Sequence, residues 1–263
     1  MPESNSRAYH KDSFYQHRKL SMKDCAFDLH IHSALSPCGE DSSTPDVMAG
    51  LFALSGFDVI ALTDHNSCGN CAPFLKACEH YGILGIPGME LNTSEEVHVV
   101  CLFPELKAAE AFSEYVYSKI PDIKNRSRIF GNQYYCSESG KILKEEEKLL
   151  ISATEIGIYE VADLVKEYGG IAYPAHIDRE ANSLLYNLGF WDPGMGFTMA
   201  EISAGCPDSF PDSRPDIKEL PLIRGTDAHR IEQIPEKPCQ RLKVEEMSAA
   251  GVIKALKNLQ KNG

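Results

Sequence analysis

The stretch Cys25-Ala-Phe-Asp-Leu-His-Ile-His32 is short, apolar through its first half and alternating at its end, the pattern of a largely buried strand. Side chains two apart on a strand share a face, so Asp28, His30 and His32 project together and both imidazoles can reach one ion. Outward from it, Thr44-Pro45-Asp46 supplies the cap and first turn of a helix that runs through Val47, Met48, Leu51 and Leu54 and stops at Gly56. Asp58-Val-Ile-Ala-Leu-Thr-Asp-His65 reads as the next buried strand.

The rhythm repeats. A helix is predicted over Ala72 to Tyr81, closed by Gly82, and a strand over Ile83-Leu-Gly-Ile-Pro-Gly-Met-Glu90. Another strand follows over Glu96 to Phe103, then a helix from about Glu105 to Lys119, so the alternation predicts parallel βαβ units. Between Lys119 and about Thr154 the pattern breaks into a polar, aromatic-dotted segment, read as an inserted cap over about 119–155. Regularity returns with a helix over Ile158 to Tyr168, closed by Gly169-Gly170, and with strands Ile171 to His176, Met199 to Ser203 and Leu222 to His229. Cys206 to Pro215 is a loop, and Ser248 to Lys261 a final amphipathic helix. Residues 1–23 form a polar leader and 24–263 one α/β domain. His32, His65, Glu90, His176, Asp227 and His229 all fall at strand ends, and a parallel β/α barrel assembles its chemistry at that mouth.

With 263 residues, 43% hydrophobic and 24% charged, the composition is that of an ordinary globular chain. A net charge of −12 excludes a general nucleic-acid coat and stable duplex binding, because sequence-independent affinity for phosphate backbones comes from surplus Lys and Arg. Small phosphorylated substrates and short oligonucleotides remain compatible with it, and acidic groups set against metal cations would lower the effective charge. Met1 to Lys23 holds no apolar h-region, and no stretch approaches the ~18–20 apolar residues of a membrane span, so a cytoplasmic protein without a membrane partner is expected. Nine cysteines, an odd number scattered from Cys25 to Cys239, fit reduced thiols. Cys68-Gly-Asn-Cys71 opens a helix without a second such pair. It reads as two helix-terminus cysteines, with a small metal cluster including Cys38 and Cys78, or a redox pair, as the alternatives.

Asp227-x-His229 repeats the His30-x-His32 spacing at the last strand, and a recurrence of this kind favours metal ligation over two unrelated strand caps. Glu90 is read as a bridging ligand, since a carboxylate can join two cations through its two oxygens and a neutral imidazole cannot. His98 and His176 read equally as hydrogen-bonded core histidines when each stands alone, but six of the nine histidines gather at strand ends. His10, His17 and His80 do not, and are set aside as surface residues.

Asp-Leu-His-Ile-His-Ser at 28–33, Ala-Leu-Thr-Asp-His-Asn at 61–66, Pro-Gly-Met-Glu-Leu at 87–91, Pro-Ala-His at 174–176 and Gly-Thr-Asp-Ala-His at 225–229 resemble the successive motifs of the polymerase and histidinol phosphatase (PHP) family, in the family's order. The resemblance is nearest to the small bacterial phosphoesterases that act on 3′,5′-nucleoside bisphosphates and RNA 5′ ends. It implies a distorted (β/α)7 TIM-like barrel with two or three divalent ions, zinc, manganese or iron. His30, His32, Glu90 and Asp227 would hold the first ion, Glu90, His98 and His176 the second, and His65 with His229 the third. Where those relatives place an aspartate after the second histidine, this chain has Ser36-Pro-Cys-Gly-Glu-Asp41, so Cys38, Glu40 or Asp41 would complete the third site.

The implied activity is that of a metal-dependent phosphoric ester hydrolase using an activated water, with Asp227, His229 and Arg179 as catalytic candidates. Arg179, Arg230 and Arg128 are the candidates for binding substrate phosphate. From Lys119 to Lys144 six basic residues stand against two acidic ones, with Phe130, Tyr134 and Tyr135 among them, a composition suited to a nucleotide and equally to a solvated lid. A histidinol-phosphate-type phosphatase and a non-catalytic phosphate-binding module are the alternative functions.

Overall fold

The computed structural model describes residues 22–259; most of the leader, with His10 and His17, lies outside them. The chain runs β1 (Lys23–Ile31), α1 (Pro45–Leu54), β2 (Val59–Leu62), α2 (Cys71–Tyr81), β3 (Leu84–Asn92), β4 (His98–Leu102) and α3 (Leu106–Lys119). Then come α4 (Ser127–Phe130), β5 (Tyr134–Cys136), β6 (Ile142–Glu145), α5 (Ile158–Glu167), β7 (Ile171–Pro174), α6 (Leu184–Asn187), β8 (Ala200–Ser203), β9 (Leu222–Gly225), β10 (Arg241–Val244) and α7 (Ala249–Asn258). The expected punctuation operates locally. Thr44 caps α1 by accepting from the Val47 N–H with Pro45 in the first turn, and Gly82 ends α2 at φ 74°, the left-handed conformation that costs glycine nothing.

Six strands form one curled sheet in the order β10-β1-β2-β3-β4-β7, while β8-β9 and β5-β6 are separate pairs. The β1-β2, β2-β3 and β8-β9 pairs are parallel, as expected. The β3-β4 and β4-β7 pairs are antiparallel, which corrects the expectation of parallel units throughout. Only residues 93–97 separate β3 from β4, far too few for the crossover that parallel strands require, so the chain turns back in a hairpin. Several elements escaped the sequence reading, the short helices α4 and α6 among them. Strand β10 is four residues long and pairs antiparallel with the start of β1, and the β5-β6 hairpin lies in the segment read as irregular.

Alternation along the strands divides the core. Phe27 and Leu29 of β1, Val59 and Ala61 of β2, Ile86, Val100, Tyr173, Ile223 and Val244 form one apolar cluster inside the curl, closed at one end by Val252, Ile253 and Leu256 of α7. Ile60, Leu62, Met89, Leu91 and Val99 face the other way, joined by Ile31 beyond the irregularity in β1 between Asp28 and Ile31, under Phe52 of α1, Phe74 of α2, Phe112 of α3 and Val165 of α5. Each large side chain buried in this way contributes roughly 1.5–3 kcal/mol.

At the opposite end from α7, the β8-β9 pair spans the gap between β7 and β1. The Ile177 N–H donates to Glu201 O at 2.8 Å on one side, and the Asp227 and His32 N–H groups donate to His30 O and Ala228 O, each at 2.9 Å, on the other. These are individual bonds at one rim rather than a continuous ladder. They bring the ends of β1, β2, β3, β7, β8 and β9 together with the start of β4, which the hairpin returns to the same end.

Candidate metal centre

Glu90, fully buried near the end of β3, is the hub. Its Oε1 lies 3.2 Å from His30 Nε2, 2.9 Å from His98 Nδ1 and 3.1 Å from His176 Nε2, and its Oε2 lies 3.3 Å from His32 Nε2 and 3.0 Å from His65 Nδ1. Asp227 Oδ1 adds a second carboxylate oxygen, 3.2 Å from His30 Nε2, 3.0 Å from His32 Nε2 and 3.4 Å from His229 Nδ1. Three groups of side chains offer ligand atoms close enough to share an ion: His30, His32, Glu90 and Asp227; His65, Glu90 and His98; and His32, His65 and His229.

The tautomers follow from what each ring's other nitrogen touches. His30 Nδ1 lies 2.7 Å from Glu201 Oε1, which only accepts, so that nitrogen holds a proton and, in the neutral ring, Nε2 keeps the lone pair. Ser36 Oγ donates to Asp64 Oδ1 at 2.7 Å and so accepts from His32 Nδ1 at 2.8 Å, which again leaves Nε2 bare. The two bare nitrogens face each other at 3.2 Å, with Glu90 and Asp227 oxygens at similar range. Four acceptors pointed at one another in a dry pocket repel unless protons or a cation lie among them. His65 Nδ1, Glu90 Oε2 and Asp227 Oδ1, all buried, have no hydrogen-bond partner among the described residues. These orphaned atoms, in a set of imidazoles and carboxylates, fit divalent cations.

Burial raises the Glu90 and Asp227 carboxyls, but the imidazoles around them, His98 first for Glu90 and His30 first for Asp227, hold both well below the usual range. Burial pushes the His98 ring down to about 4, against the pull of the Glu90 carboxylate. Backbone strain gathers here as well: His176 and Asp227 have φ of 30° and 51°, a region that side chains other than glycine rarely occupy and that functional sites retain.

The other expected residues divide. Arg179 ion-pairs with Asp227 and donates to Ser203 Oγ at 3.2 Å, beside the centre. Arg230 instead meets Glu40 at 3.6 Å, and Asp41 accepts from Asn132 Nδ2, so neither of these two acidic residues faces the imidazoles. Arg128 is exposed on α4, with no hydrogen bond or ion pair to the centre among the described residues. The local excess of positive charge in the insertion is reduced by Lys119 pairing with Glu155 and by Lys124 pairing with Glu147, while Lys144 lies over the Tyr135 ring.

Cys68 and Cys71 both donate to Gly88 O, at 3.2 and 3.4 Å, and are buried. Burial pushes the Cys68 thiol well up, which makes it inert toward redox chemistry. All nine cysteines are free thiols, and neither Cys68 nor Cys71 lies in a group of candidate metal ligands.

The sequence reading missed Glu201 and Asp64. Glu201 fixes His30, and Asp64 accepts from the Ser33 N–H and from the Ser33 and Ser36 hydroxyls. A carboxylate inside the apolar strand Met199 to Ser203 is the signal that points to the first.

The PHP domain profile matches residues 28–187. No curated protein matches the chain. Among solved structures it is similar to the lesion-specific endonuclease PfuEndoQ of Pyrococcus furiosus, with TM-score 0.67 and 19% identity over 92% of this chain and 57% of that one. It is also similar to an endonuclease Q in complex with a 27-mer duplex substrate carrying an abasic lesion at the active site, with TM-score 0.64 and 18% identity over 90% of this chain and 57% of that one. A two-domain protein of Bacteroides vulgatus containing a predicted PHP-like metal-dependent phosphoesterase aligns with TM-score 0.55 and 16% identity, over 91% of this chain and 64% of that one. The chain thus spans little more than half the length of the two endonucleases. No helix among the described residues is long and apolar enough to cross a membrane.

Proposed function

The chain belongs to the PHP domain family, and from that premise we propose that it is a metal-dependent phosphoesterase of the cytoplasm, hydrolysing phosphomonoesters or short oligonucleotide 5′ ends. The observation that carries this reading is Glu90, whose two oxygens stand within 3.3 Å of five imidazoles, an arrangement that suits a carboxylate bridging cations. His30, His32, Glu90 and Asp227 would hold one ion, Glu90, His98 and His176 a second, and His65 and His229 would serve a third. Such ions lower the pKa of a water toward ~7, neutralise phosphoryl oxygens and orient an in-line displacement.

The chain's own residues then position the ester. Arg179 spends two of its N–H donors on Asp227 and Ser203, which fixes the guanidinium beside the centre and leaves other donors for a phosphoryl oxygen. The Ser203 N–H donates to Asp178 Oδ1 at 2.7 Å and ties the loop carrying Arg179 to the end of β8. Asp227 and His229, on a turn held by the His229 Nδ1 contact to Asp227 O at 2.8 Å, would act on the attacking water through the ions they hold.

The test is a panel of a nucleoside 3′,5′-bisphosphate, a 5′-phosphorylated short RNA, histidinol phosphate and an abasic duplex DNA, each with added zinc, manganese or iron. Cation-dependent release is expected from the nucleotide members, and Glu90→Gln should lower it at least about 100-fold, ~2.7 kcal/mol of barrier. Release from histidinol phosphate or the duplex alone would replace the substrate class. Cation binding without any release would leave a non-catalytic phosphate-binding module.

A further inference from the structure

The loop between β1 and α1 is fastened on three sides. Ser36 Oγ accepts from the His65 N–H at 3.2 Å and donates to Asp64, the Gly39 N–H donates to Ser36 O at 2.8 Å, and the Glu40 N–H and Ser43 Oγ donate to His229 O at 3.2 and 3.0 Å. Gly39 is required by this close approach, because a Cβ there would sit 2.8 Å from Ser33 O. The result is that Cys38 Sγ lies 3.2 Å from His65 Nε2, whereas Glu40 and Asp41 point to Arg230 and Asn132.

The imidazoles it meets already form a group. His32, His65 and His229 offer ligand atoms within 4.8 Å of one another, and the His32 and His229 rings stack at 3.9 Å. The His229 Nδ1 contact to Asp227 O assigns the proton to that nitrogen and the lone pair to Nε2. Independently, Asp227 Oδ1, 6% exposed and without a hydrogen-bond partner, points at the same rings.

We propose that Cys38, His65 and His229 hold a divalent cation through a thiolate, so that this corner of the centre selects zinc, ferrous iron or cobalt over manganese and magnesium. A soft sulfur ligand beside imidazoles favours the later transition metals, whereas a carboxylate in its place would admit harder ions. The inference deepens the phosphoesterase reading and rests on it for the purpose of the neighbouring ions.

The experiment strips the full chain with chelator, reloads it with cobalt(II), and records cobalt per chain, the near-ultraviolet thiolate-to-cobalt charge-transfer band and cobalt-supported phosphate release. The band is expected in the unaltered protein and in Cys239→Ser, and its loss together with about one cobalt is expected in Cys38→Ser. Cys38→Asp, which keeps an anionic ligand, should shift the zinc-over-manganese preference toward manganese by at least about tenfold. A band that survives in Cys38→Ser, or is absent from unaltered protein that takes up cobalt and releases phosphate, overturns the thiolate site and leaves the hydrolase standing. No cobalt uptake at all overturns both.

Discussion

Glu201 and His30 show how a residue without ligand spacing can still govern the centre. The carboxylate holds the ring's Nδ1 proton and so aims Nε2 at Glu90 and Asp227, which makes Glu201 a positioning residue. Replacing it with alanine should weaken cation binding about 10- to 100-fold, measured by equilibrium dialysis, while the fold survives. Unchanged affinity would mean that packing alone fixes the ring. The sequence disclosed His30 and His32 because period-two spacing places them on one face. It did not disclose Glu201, which lies 171 positions away and meets His30 only when the β8-β9 pair closes the gap between β7 and β1.

Elements decide which way those residues point. His98 lies near the start of its strand, where a parallel course would carry it away from the mouth, and it reaches Glu90 because the five-residue connection forces β4 to run backwards. The insertion is equally specific. Gly131, at φ 100°, packs so tightly that a Cβ would lie 1.8 Å from Pro37 O, next to Cys38. Gly131→Ala should cost roughly 1–3 kcal/mol and disturb the Cys38 loop, read as a lowered Tm together with weaker zinc binding. Behind it, Glu146 joins α3 to the hairpin by accepting from Tyr117 Oη at 3.0 Å, Tyr135 Oη at 2.8 Å and the Lys148 N–H at 2.9 Å. Burial raises this carboxyl, but the Lys148 N–H and the two hydroxyls outweigh it and hold the group below its ordinary value. A depressed folded-state value gives stability that is present above the unfolded carboxylate range and lost as pH falls through the folded one. Thermal melts at falling pH should therefore show a smaller loss for Glu146→Gln than for the unaltered protein, starting from a neutral-pH stability lower by about 1 kcal/mol.

For the whole molecule, the centre is a store of unfavourable electrostatics that bound cations relieve. Buried acceptors facing one another destabilise the metal-free fold, so chelation should lower Tm by about 5–10 °C. That corresponds to ~2.7 kcal/mol of linkage at a hundredfold excess over Kd, spread over a chain of this size. Scanning calorimetry with and without chelator checks it, and coincident melts would argue that the pocket is stable without ions. The amino-acid sequence by itself determined the alternation of strands and helices through β3, the imidazole and carboxylate inventory, and the family. Those depend on periodicity, caps and motifs that are local along the chain. Only the tertiary structure decided the antiparallel β4, the hairpin in the insertion, the placement of Cys38 rather than Glu40 or Asp41 against His65, and the burial of Cys68 and Cys71. These outcomes depend on which distant segments meet once the sheet curls, and contacts across hundreds of positions leave no pattern in the residues that flank them.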